Sequence, residues 1–196
     1  MKRIGLTGGI GSGKSFIAGI LEHMGFPVYY SDLRSKVLTK SNPTIRDGLI
    51  SLFGTDVFID NQLNTVLISE KMFKDDDLRL KINQLIHPVV RADFENWTKK
   101  QEGKLVFNEA AILFETGAYK TLDATILVCA PLELKLNRVM KRENCSKDEV
   151  ISRMKKQWSD EDKMKLTTFH IINDEQKPVL IQIESIINEF LQGDFQ

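Results

Sequence analysis

The sequence predicts an α/β fold, a parallel sheet flanked by helices and interrupted by a helical insertion. Three observations predict it. First, Gly8-Gly9-Ile10-Gly11-Ser12-Gly13-Lys14-Ser15 satisfies G-x-x-x-x-G-K-[ST], the phosphate-binding loop of the P-loop nucleoside-triphosphate-binding fold. It sits where that pattern requires, between a short apolar stretch, residues 2–7, and a segment with Ile17, Ile20, Leu21 and Met24 at helical spacing. Second, residues 123–130 are continuous in apolar and β-branched side chains, as strands covered on both faces are. Third, residues 42–101 are almost wholly helical in pattern, more than a crossover between parallel strands requires, which predicts an inserted subdomain.

The loop comes first because its chemistry is the most specific. Glycines let the backbone take positive φ or approach a ligand closely, so successive N–H groups turn inward as a nest, and the dipole of the following helix adds to their field. Gly9, Ile10, Gly11, Ser12, Gly13, Lys14 and Ser15 are therefore the expected nucleotide contacts. Lys14 supplies a mobile cation for the β- and γ-phosphates, and the Ser15 hydroxyl is placed to coordinate the Mg2+ that bridges them.

Taken onward, Gly25 ends the first helix and residues 26–30 read as a second strand, followed by Ser31-Asp32. In open parallel sheets the ligand crevice lies outside the carboxyl ends of the strands. Asp32 is on that ground a candidate general base, and equally a cap for a helix over residues 33–38.

In the insertion, Ile45, Leu49, Leu52 and Phe53 share one face; Leu67, Met72 and Phe73, then Leu78, Ile82, Leu85 and Ile86, mark later helices broken by Gly54 and Pro88. His87-Pro88 is read as a helix end, with His87 either packing there or touching substrate. The acidic run 74–77 reads as a solvated turn opening a helix.

Residues 104–108 return to the sheet, with Glu109 at the strand end, and Ala110–Glu115 is an apolar run closed by an acid. Pro131 stops the strand at 123–130. A helix over residues 134–143 carries Arg138 and Arg142 on one face, and Arg153 follows on a helix predicted over residues 147–158. These arginines either clamp a transferring phosphoryl group or form a solvated surface with Glu133 or Glu149. Residues 169–172 are the last strand, Asn173-Asp174 its turn, and residues 179–190 a closing amphipathic helix.

The chain has 196 residues, 42% of them hydrophobic, enough for one domain with a subdomain. Lysine plus arginine and aspartate plus glutamate number 27 each, which gives no electrostatic footprint for nucleic acid or an anionic membrane. Its start passes straight into a strand, and no run has the length needed to span a bilayer. A cytoplasmic protein is expected. Cys129 and Cys145 are isolated, with no C-x-x-C spacing, and read as free thiols.

From Ile4 to about Leu191 the sequence resembles the dephospho-coenzyme A kinases. The anchors are the loop with its preceding Gly5-Leu6-Thr7, Asp32, Phe53-Gly54, Leu85-Ile86-His87-Pro88, Leu113-Phe114-Glu115, and Arg138 with Arg142. The resemblance implies transfer of the ATP γ-phosphoryl group to the ribose 3′-hydroxyl of dephospho-coenzyme A. It also implies a nucleotide-binding core over 1–31 and 103–196, a coenzyme-A-binding insertion over 32–102, and a lid over about 138–158. Asp32 becomes the expected base and Arg138 and Arg142 lid arginines; His87, Leu113 and Glu115, with Asp32, are expected on the substrate, and Asn173 with Arg138 on the nucleotide.

The chain departs from the family pattern at Tyr30, Thr65, Ala111 and Asn173-Asp174, where the family usually has aspartate, arginine, proline and Asp-Asn. These affect substrate and adenine contacts more than the reaction. The implied partners are ATP, Mg2+ and a small-molecule substrate, with a monomer or small homo-oligomer and no nucleic acid. A nucleoside monophosphate kinase would share the loop, insertion and arginines, and a turnover panel separates the two. A GTP-dependent switch needs N-K-x-D and D-x-x-G, and neither string occurs.

Overall fold

The computed structural model describes residues 1–193, with the side chains of residues 72–74 and 76 outside the described set. The chain divides into two compact units, residues 1–30 with 100–196, and residues 31–99.

The first unit holds a five-stranded parallel sheet, in the order β2-β5-β1-β6-β7. The strands are β1 (Lys2–Thr7), β2 (Val28–Tyr30), β5 (Leu105–Glu109), β6 (Ala124–Cys129) and β7 (Phe169–Ile172). β1 lies in the middle because Ile4 and Leu6 are wholly buried, as a strand covered on both faces requires. Helices α1 (Lys14–His23) and α9 (Val179–Gln192) supply Ile17, Ala18, Leu21, Ile183, Ile186, Ile187 and Phe190 to the core with them. Gly25, at φ 88°, closes α1 in the left-handed conformation and turns the chain toward β2.

Register decides what meets the loop. Leu6 of β1 and Tyr30 of β2 both pair with Glu109. Glu109 is thus the last residue of β5 and lies inside the strand, where the sequence reading placed it just beyond. It is level with the end of β1, two residues before Gly8.

After β6 come α6 (Leu132–Glu143), α7 (Lys147–Met154) and α8 (Asp160–Met164). α7 stops four residues short of the predicted end at 158. The chain turns there because Ser159 caps a separate helix, accepting from the Asp162 N–H. A capping box at Ser146 and Glu149 starts α7, and Leu136, Val139 and Val150 bury the faces of α6 and α7 together with Ile10 of the loop.

The second unit is α2 (Ser31–Ser41), α3 (Pro43–Phe53), α4 (Thr65–Lys74) and α5 (Asp76–Thr98), with a hairpin of β3 (Phe58–Ile59) and β4 (Gln62–Leu63). The hairpin interrupts residues 42–101, which read as almost wholly helical in sequence. Asp60 and Asn61 both take positive φ, 49° and 61°, the geometry of a two-residue turn that these residue types tolerate. Asp60-Asn61 was the signal in the sequence.

Pro88 does not break its helix either. α5 runs 23 residues through it, although an interior proline costs on the order of 3 kcal/mol. Packing wins over propensity: Leu78, Ile82, Leu85, Ile86, Val89 and Val90, on both sides of Pro88, join Leu38, Ile45, Leu49, Phe53 and Val57 in one apolar cluster. Arg34 ties α2 to α5 through a two-pronged contact with Asp93 at 2.9 and 3.0 Å. The side chains of Met72 and Phe73, read as a helix face, and of Lys74 and Asp76 in the acidic run lie outside the described residues.

Candidate active site

The loop from Gly8 to Ser15 leaves β1 and enters α1, and close approach shapes it. Gly11 has φ 80°, and a Cβ there would lie 2.9 Å from the Cα of Lys135 on α6. Gly13 has φ 92°, and a Cβ there would run into the Asn173 amide nitrogen. Glycine is demanded at both positions by backbone conformation and by space.

Around the loop the polar contacts form a frame. Asn173 is 7% exposed and donates its side-chain amide to the Ser12 carbonyl at 2.9 Å. Arg138 reaches the carbonyls of Gly11 and Ser12 at 3.4 Å, the Asn173 carbonyl at 3.2 Å and Glu175 at 2.9 Å. Gln157 accepts the Ile10 N–H at 3.1 Å, and Lys135 pairs with Asp160 at 2.7 Å.

At the inner end, Glu109 is 3% exposed and meets both chemical residues of the loop. Its Oε1 lies 3.3 Å from the Lys14 ammonium and accepts the Ser15 hydroxyl at 3.1 Å. A cleft of about 200 Å³ opens beside them, lined by Gly9, Gly13, Lys14, Ser15, Phe16, Arg138 and Arg142 among others. Nest, cation and hydroxyl together can hold a polyphosphate.

The donor set also fits Mg2+. A hydroxyl and a carboxylate 3.1 Å apart are hard oxygen ligands, and magnesium is commonly held by one or two protein oxygens together with substrate phosphates. Among the described residues no group of three His, Cys, Asp or Glu could enclose a metal alone.

Arg142 stands at the outer end. Its side chain is 64% exposed and donates to Glu143 at 2.5 Å. Glu143 also accepts from Arg153, and the two arginines hold its carboxyl down at about 2. Glu143 is thus the partner of this pair of arginines; Glu133 pairs with Lys147. Tyr30 turns its hydroxyl to Glu22 at 2.8 Å; burial first, and that bond second, push its pKa up to about 12.

Several predicted site residues are placed differently from expectation. Leu113 is wholly buried and packs over Gly5, which removes it from any surface a substrate reaches. Glu115 is committed to Lys163 at 3.0 Å and to the Trp158 N–H at 2.9 Å. Asn173 backs the loop. Asp32 is the second residue of α2 and lies inside the helix, past the capping position. His87 is half-buried in mid-helix, and burial, then Arg91, lowers its pKa.

Three contacts around the site are not legible in the sequence. Glu109 reads only as a strand end, and Gln157 carries no pattern. Lys163 is wholly buried, yet it reads as one more charge in Asp160-Glu161-Asp162-Lys163.

A parallel sheet with this loop, a buried acid on its lysine and serine, and arginines along the cleft defines a P-loop phosphotransferase. The family model described as "Dephospho-CoA kinase" matches residues 2–178. The chain is 40% identical over 186 residues to a dephospho-CoA kinase of Bacteroides fragilis, covering 94% of this chain and 91% of the relative. It resembles a solved Thermus thermophilus structure with a TM-score of 0.88 and 31% identity over 98% of both chains. For the dephospho-CoA kinase of Campylobacter jejuni the TM-score is 0.70 and the identity 25%, again over 98% of both chains. The chain belongs to the dephospho-CoA kinase family. It is a kinase, a nucleotide-using transferase of small molecules, and among the described residues no helix is long and apolar enough to cross a membrane.

Proposed function

We propose that the chain transfers the γ-phosphoryl group of ATP to the ribose 3′-hydroxyl of dephospho-coenzyme A, releasing ADP, in the last step of coenzyme A synthesis. One observation carries the reading: a chain of this family keeps an intact loop whose Lys14 and Ser15 both meet a buried acid, Glu109.

Lys14 neutralises the β- and γ-phosphates as charge shifts during transfer. Glu109 holds the Lys14 ammonium and the Ser15 hydroxyl near their working positions. Mg2+, when bound, supplies charge neutralisation between the phosphates, and Ser15 with Glu109 would hold it. Asp32 orients the acceptor hydroxyl and takes its proton. The helical unit, including His87, holds dephospho-coenzyme A, and the segment of about 138–158 acts as the lid, with Arg138 already fixed to the loop and Arg142 completing its contact late. The setting is the cytoplasm, as a monomer or small homo-oligomer without a nucleic-acid partner.

Asp32→Asn keeps the shape and removes the base, so kcat falls by roughly 10²- to 10⁴-fold while ATP affinity holds. A lower melting temperature with normal kcat would assign Asp32 to the helix instead. Turnover of nucleoside monophosphates in preference to dephospho-coenzyme A would overturn the substrate assignment.

A further inference from the structure

We propose that Phe16 receives the base of the bound nucleotide, stacking on it at the rim of the cleft; the inference rests on the ATP-dependent transfer above and names a contact for it. Phe16 is the third residue of α1 and 60% exposed, whereas Ile17 and Ala18 beside it are wholly buried. It belongs to neither the sheet cluster nor the α6–α7 cluster. An aromatic ring held out of the core in the first turn of the loop helix also lines the cleft, with Gly13, Lys14, Ser15, Arg138 and Arg142.

The cleft has a direction. Lys14 lies against Glu109 at the end of β5, and a lysine in that place serves the β- and γ-phosphates. A triphosphate laid in the nest with its terminal phosphates there leaves along the first turn of α1, the positive end of the helix dipole. Its nucleoside end emerges beside residue 16.

Size supports the same end point. The cleft holds about 200 Å³, below the roughly 300 to 1,000 Å³ of sites that enclose a drug-sized ligand. A cleft of that size does not enclose a whole nucleotide, and the exposed ring of Phe16 on its wall is available to the base. Base–aromatic stacking is tolerant of base identity, because every base has a π-face. Phe16 should therefore set affinity for the nucleoside end without choosing among bases.

The test compares Mg–ATP with Mg–tripolyphosphate, which carries the phosphates and no base, by equilibrium binding to the wild type, Phe16→Ala and Phe16→Trp. Phe16→Ala is expected to weaken ATP by roughly 5- to 150-fold, the range alanine substitution gives for a stacked base, and to leave tripolyphosphate and the melting temperature unchanged. Phe16→Trp should restore ATP binding. Equal loss for both ligands, or no loss of ATP, overturns the proposal. If the wild type binds neither ligand, the kinase reading fails and this contact fails with it.

Discussion

The inner and outer ends of the cleft use similar charges in opposite ways. At the inner end, Lys14 is 18% exposed and Glu109 5% by side chain, and one carboxylate oxygen serves both the ammonium and the Ser15 hydroxyl. At the outer end, Arg142, Glu143 and Arg153 share an open surface. Exposed pairs contribute about 0–1 kcal/mol, while a buried charge that loses its partner is costly. The charges of the inner end are therefore costly to separate, and those of the outer end are not.

The largest effect should follow the loss of Lys14. Lys14→Met is expected to keep the fold and lower kcat by at least about 10³-fold, comparable with losing a main electrostatic contact to the transferring group. It also leaves Glu109 without its cation. The double variant Lys14→Met/Glu109→Gln should therefore be more stable than the sum of the single changes predicts. Additive melting shifts would show that the two residues do not share one site.

Next comes the pair of Lys163 and Glu115. Lys163 has no exposure, and its ammonium meets Glu115 at 3.0 Å and the Ala111 carbonyl at 3.3 Å. Lys163→Met leaves that carboxylate uncompensated and should cost about 3–5 kcal/mol of stability, read from denaturant unfolding. A loss within about 0.5 kcal/mol, the range of an ordinary surface change, would show that water reaches the pair.

Arg138 and Arg142, four residues apart on one helix, give the sharpest contrast. Arg138→Ala removes bonds to three carbonyls of the loop and its neighbour Asn173, so both melting temperature and kcat should fall. Arg142→Ala should spare stability and, on the proposal that its contact is completed in the transition state, lower kcat more than it weakens ATP binding. Unchanged kcat in Arg142→Ala would return that residue to the solvated surface.

The smallest effect concerns pH. Glu143 is held at about 2 by Arg153 and Arg142, below its ordinary 4.5. Its contribution to stability is fully present above pH 4.5 and is lost as pH falls toward 2. Stability near neutral pH should therefore be flat in this respect, and Glu143→Gln should shift the melting temperature by little. A clear gain in kcat for Glu143→Gln would mean that the pair restrains Arg142.

Much of the site was legible in sequence because its demands are local. Gly11 and Gly13 must take positive φ, Lys14 and Ser15 must follow them, and a strand and a helix must flank the loop; each demand falls within a few residues. The closing helix was legible for the same reason, since its apolar period is written in consecutive turns. Long-range partners were not. Glu109 reaches Ser15 across 94 positions because β5 pairs with β1 in a register that sets Glu109 level with Leu6.

The sequence by itself determined the fold class, the phosphate chemistry and the family, through glycine conformation, hydrophobic period and motif order. Tertiary structure alone decided that Pro88 stays within a helix, that Leu113 and Glu115 turn inward, and that Arg138 is tied to the loop while Arg142 pairs with Glu143 on the open surface. Those outcomes depend on which surfaces are buried together and on which charge finds which partner, and neither quantity is a property of neighbouring residues.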